Sequence, residues 1–139
     1  MKGLELTEFE RVEGDDEVAL EGLASQVTEE LKLAGLTVIR EGDADVGVEI
    51  EIDKGADEAG GVYVTWSPSS RLSLAAVVAV QQGRFDAPAI QHSGMVKRIM
   101  CEALFELLKS ARFGVEKTGD EMRPLAIRVT SPSVGLEQY

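Results

Sequence analysis

Val46-Gly47-Val48-Glu49-Ile50-Glu51-Ile52-Asp53 sets apolar and polar residues in alternation. Successive side chains of a strand point to opposite faces, so Val46, Val48, Ile50 and Ile52 fall on one side. Gly47, Glu49, Glu51 and Asp53 fall on the other. A strand of this pattern buries one face on a core and turns the other away from it. It therefore predicts a sheet covered by helices on one face only.

The neighbouring segments supply the other layers. Before this strand, Leu36 to Arg40 reads as a short strand, and Glu41 to Asp45 has turn composition. After it, Lys54 to Gly60 is a loop leading to Val62-Tyr63-Val64-Thr65-Trp66, with Val62, Val64 and Trp66 inward. Together they read as an antiparallel meander. Upstream, Leu20, Leu23, Ala24, Val27, Leu31 and Ala34 recur at helical spacing. The spacing predicts a helix over 16–34, opened at Gly14-Asp15-Asp16 and stopped by Gly35. Residues 1–14 alternate weakly and read as an edge strand or a docked arm.

Residues 71–80 fit two periods. Leu72, Leu74, Ala76, Val78 and Val80 share a strand face, and the valines favour that reading. The competing reading is a helix capped at Ser67, with Pro68 as its first residue. The strand is the preferred expectation. Gln82 to Gln91, with Gly83 and Pro88, reads as a loop. From Ser93 to Gly114 a second helix carries Val96, Ile99, Met100, Ala103, Leu104, Leu107 and Leu108 on its apolar side. A last strand spans Leu125 to Val129, with Leu125, Ile127 and Val129 inward, and 131–139 forms a loose tail. The expected fold class is α+β. It is a two-layer sandwich with an antiparallel sheet of four or five strands and two helices on one face. The 139 residues make one domain, 1–139.

Charge separates along the chain. The formal net charge is -11, yet residues 1–60 hold 18 Asp/Glu against 5 Lys/Arg, and the remainder holds 7 against 9. A nucleic-acid binder needs the opposite sign to meet phosphates. Helix, three strands, helix is also the order of double-stranded RNA-binding domains. Those open the last helix with a basic cluster, where this chain has Ser93-Gly94-Met95-Val96, so that family is excluded. The longest apolar run, Leu74 to Val80, is too short to span a bilayer. The single cysteine, Cys101, excludes an intrachain disulfide, and acids stand where a signal peptide needs an apolar run. A cytoplasmic location is the expectation.

No motif names a reaction. Carboxylates every second residue lie about 6.6–6.8 Å apart along the backbone, too spread for a compact cation cage. There is no glycine-rich phosphate loop, since Gly60-Gly61 opens a strand, and no Gly-x-Ser-x-Gly elbow. No metal and no cofactor is expected. Cys101 falls among the apolar positions of its helix and reads as a small core residue. The leading expectation is a non-enzymatic protein-binding module, of chaperone, immunity or adaptor type. Its contact face would carry Glu49, Glu51, Asp53 and Tyr63 towards a basic protein partner, or join two copies of the chain. Neither nucleic acid nor membrane is an expected partner. The competing expectation is an enzyme or small-ligand binder. Its pocket would lie between the sheet and the Gly83–Ser93 loop, lined by Trp66, Arg84, Asp86 and His92.

Overall fold

Ala24, Val27 and Leu31 stand at helical spacing and are fully buried, which anchors α1 (Lys2–Leu33) over the sheet. The computed structural model describes residues 2–40, 46–55, 60–118 and 125–134, and for 2–16 only the helical backbone. The helix therefore begins well before Asp16. Residues 2–14 are helical and not an edge strand or an arm. Gly35 closes α1 at φ +92. Its N–H reaches Lys32 O at 2.9 Å, and that of Leu36 reaches Leu31 O at 3.1 Å, which satisfies two terminal carbonyls.

Five strands follow the α+β expectation: β1 (Val38–Arg40), β2 (Gly47–Asp53), β3 (Gly61–Ser67), β4 (Gly114–Lys117) and β5 (Ile127–Ser131). The sheet order is β1-β2-β3-β5-β4. Pairing is antiparallel throughout except between β1 and β2, which run parallel. The sheet is thus mixed, and the expected meander is corrected at its first turn. Thr37 O accepts the N–H of Val48 at 2.8 Å, so the chain returns to the starting end of β1 before entering β2. The expected turn at Glu41 to Asp45 lies outside the described residues. Val46 is exposed rather than inward, since it precedes the paired strand.

Residues 70–81 are helical, which overturns the strand expectation. Ser69 extends at φ -49, ψ 136, and its hydroxyl accepts the N–H of Arg71 at 3.2 Å, capping α2 (Ser70–Gln81). Apolar residues occupy both parities of this run, with Ala75, Val77 and Ala79 between the even set, so its strand alternation is not selective. Pro88 starts α3 (Pro88–Ser110) at the first position, where its missing N–H costs nothing, so the expected loop shortens and the helix begins before Ser93. The chain leaves α3 through Arg112 at φ 66 rather than through Gly114. Gly114 instead begins β4, a short strand with two charged residues that hydropathy does not reveal. Leu125 stands before β5 at φ 60, exposed and not inward.

The core lies between the sheet and α1 with α3. Val48, Ile50, Val62, Val64, Ile127 and Val129 face Ala24, Val27 and Leu31 from α1, and Cys101, Leu104 and Leu108 from α3. The two sheet-packed helices thus match the expectation, and α2 packs on α3 instead of the sheet. Among the described residues no helix is long and apolar enough to cross a membrane.

Gly47 is the tightest backbone approach in this arrangement. It holds φ +133, and a Cβ there would fall on the Thr37 carbonyl. Gly47→Ala therefore meets both backbone strain and a clash with main chain. It is expected to cost about 2 kcal/mol or more. Urea unfolding followed by fluorescence of Trp66, the one tryptophan, reads this as a lower midpoint.

Candidate functional site: the acidic face of the sheet

Pairing register determines which side chains meet on the sheet face turned away from α1 and α3. Glu49 stands opposite Thr65, Glu51 opposite Tyr63, and Asp53 opposite Gly61. Tyr63 in turn pairs with Arg128, and Arg128 with Glu116. One row across four strands therefore reads Glu51, Tyr63, Arg128, Glu116. The structure brings Glu49, Glu51, Asp53 and Tyr63 onto this one face.

These residues are not equally accessible. Glu49, Glu51 and Asp53 are half-buried, whereas Tyr63 is only 3% exposed. Tyr63 is thus part of the platform and presents little contact surface. Arg128 spans the row. Its Nη1 meets Glu116 Oε1 at 3.2 Å, and its Nη2 donates to Gly60 O at 2.8 Å. Its Nε is buried without a hydrogen-bond partner among the described residues. Gly61, at φ +146, lets this guanidinium lie close, because a Cβ there would stand 3.1 Å from Nε. Arg128 balances Glu116 by a cross-strand pair. Glu49, Glu51 and Asp53 stand along β2 on the same face. Asp53 also accepts the N–H of Gly55 at 2.9 Å, which fixes the turn leaving β2.

The second predicted group does not converge. Trp66 ends β3 and packs against the core from the helix side. Arg84, Asp86 and His92 are exposed around the start of α3. Of the four, Arg84 alone lines one of the three cavities described, a 480 Å³ groove between α2 and the start of α3. The largest of these three, of 880 Å³, lies elsewhere, between α1 at Glu17 to Gln26, the ends of β2 and β3, and Arg128 to Pro132. Sequence reading missed it because it joins segments over a hundred residues apart. Among the described residues no three or more His, Cys, Asp or Glu side chains are placed to hold a metal ion.

Cys101 is buried in the core cluster. Burial pushes its thiol above the ordinary 9.0; Lys117 opposes the rise and Glu102 adds to it. Lys117 itself pairs with Glu102 and lies 5.0 Å over the Phe105 ring, tying β4 to α3. A thiol held in its neutral form is a poor nucleophile. No family model matches the chain, and no curated protein or solved structure matches it.

The raised thiol pKa has a defined sign in stability. The folded chain keeps the proton more tightly, so this contribution is complete below pH 9.0 and is lost as pH rises past it. Relative to Cys101→Ala, the wild type is expected to lose stability only above that pH. Denaturant midpoints of both proteins between pH 7 and 10.5 measure the difference.

Proposed function

We propose that the chain is a non-enzymatic protein-binding module whose acidic sheet face docks a basic partner. The observation that supports this reading best is the placement of Glu49, Glu51 and Asp53 at every second position of β2. They stand on the face away from α1 and α3, in the half of the chain that holds 18 of the 25 acids. A stripe of like charge on rigid strands sets orientation and speeds encounter with a basic surface more than it tightens the final complex. The rigid platform beneath it is the buried Tyr63 and the pair Arg128–Glu116.

A small-ligand reading draws its support from the 880 Å³ cleft, which is within the size range of ligand sites. Arg128 and Lys54 bring positive charge to that cleft, and Glu17 and Asp53 bring negative charge. A zwitterionic ligand is the class that such a lining suits.

A lysine-rich peptide titrated at low and at physiological salt tests the leading reading. Replacing Glu49 and Glu51 by Gln and Asp53 by Asn is expected to weaken binding about tenfold or more and to flatten its salt dependence. Asn retains the acceptor for the Gly55 N–H, so the turn survives. Equal affinity of the triple variant and the wild type would remove this face as the docking surface.

A further inference from the structure

Helix α2 has a composition that its contacts do not satisfy. Eight of its 12 residues are apolar, and Arg71 is its one charged residue. A helix apolar on all sides is normally enclosed on all sides. Among the described residues α2 packs chiefly on α3, and Ala79 is its one buried residue. Leu74 is 62% exposed, Val77 51% and Val80 48%, and Phe85 in the following turn is 71% exposed. Twelve residues with Val77, Val78 and Val80 are also too short and too β-branched to hold a helix by propensity. Such a helix owes its stability to packing, and half of its circumference lacks any within the described residues.

We infer that α2 is the contact surface of a homodimer, in which the α2 helices of two copies cross about a two-fold axis. Three further observations select a second copy as the occupant. First, the surface carries both an apolar groove and exposed large apolar side chains. Leu74 lines the 480 Å³ groove together with the small residues Ala75, Ala79, Ala87 and Ala89, and Val77, outside that lining, is half exposed. Across a two-fold axis Val77 of each copy would face the groove of the other, the reciprocal contact that a self-complementary interface requires.

Second, the area suffices. Leu74, Val77, Val80 and Phe85 together expose on the order of 450 Å² of apolar surface. That is the apolar share of the ~800 Å² which each partner gives to a standard interface.

Third, the charge permits it. Two chains of net charge -11 repel, and contact through the acidic β2 face would oppose like charges. The segment from 61 onward holds 9 basic and 7 acidic residues, and α2 holds no acid. Contact there keeps the acidic halves apart. The surface is separate from the acidic face, so the fate of either proposal leaves the other standing.

Sedimentation equilibrium of the full chain over a range of concentrations tests the inference. The wild type is expected at twice the 15.0 kDa chain mass. Val77→Lys places a charge at an exposed helical site. It is expected to raise the dimer dissociation constant at least about 100-fold with unchanged helical circular dichroism. Should that variant fail to fold, the milder pair Leu74→Ala with Val77→Ala serves, with an expected rise of about tenfold or more. The Glu49, Glu51 and Asp53 replacements are expected to leave the mass unchanged. A wild type that stays monomeric at 100 µM overturns the inference and assigns α2 to a different protein or to an unoccupied surface. A dimer that persists undiminished in folded α2 variants overturns it as well.

Discussion

The pleat of β2 is the constraint from which the rest of the structure follows. Val48 and Ile50 are at most 1% exposed, pressed under α1 and α3, and their position leaves Glu49 and Glu51 no choice of side. A slip of one residue would drive both carboxylates into the core and lift both apolar side chains out. Burying an unpaired carboxylate costs several kcal/mol, so the register is held by a penalty as well as by a preference. Because β3 pairs along the whole of β2, the same register places Val62 and Val64 inward and Tyr63 outward. From β3 it passes to Arg128 and Val129 of β5.

The helices share one way of ending. Three helix ends, after α1, α2 and α3, close in the same way, with a residue at positive φ and paired bonds back to the last turn. Gly35, Gly83 and Arg112 occupy those positions. Two are glycines, for which the conformation is free of steric cost, and the third is arginine, which carries a cost of about 1–2 kcal/mol. The stop after α3 is therefore imposed by what it joins. Phe113 must enter the core and Gly114 must pass close to Thr130 and Ser131 for β4 to pair with β5. Lys117 then clamps the edge strand to α3 through Glu102 and the Phe105 ring.

Elements with one unambiguous period were legible in the sequence. The even apolar positions of β2 and β3 and the stripe Ala24, Val27, Leu31 could be read directly, and Gly35 marked its stop. What remained illegible had a physical cause in each case. Residues 71–80 are apolar at both parities, so no period separates helix from strand, and the deciding interaction is one capping bond at Ser69. β4 is four residues long and half charged, so it exists only through its pairing with β5. The parallel start of the sheet depends on Gly47 approaching Thr37, a contact between segments with no shared pattern. The acidic face was legible for the same reason as β2. The burial of Tyr63 was not, because alternation assigns a side chain to a face and not a degree of exposure on it. Trp66, Arg84, Asp86 and His92 were grouped on the premise that 82–91 was one long loop. Trp66 lies on the core side of β3, as its parity with Val62 and Val64 requires, and with α2 and α3 formed the other three are exposed.

The distribution of charge and apolar surface then divides the molecule into two ends with different physical character. Carboxylates on β2 act over distance, since a like-charged stripe creates a field that reaches about a Debye length, roughly 8 Å at physiological salt. Leu74, Val77 and Val80 act only on contact, and their strength grows with area removed from water. A single surface combining the two would weaken both, because apolar association through an acidic stripe must first desolvate its carboxylates. Placing the acids on the sheet and the apolar residues on α2 avoids that conflict. The long path from β3 through α2 and α3 before the chain returns to the sheet at β4 gives α2 its separate position. Among the described residues α2 supplies no side chain to the core cluster under the sheet, so its apolar surface is the part of the fold that the sheet does not account for.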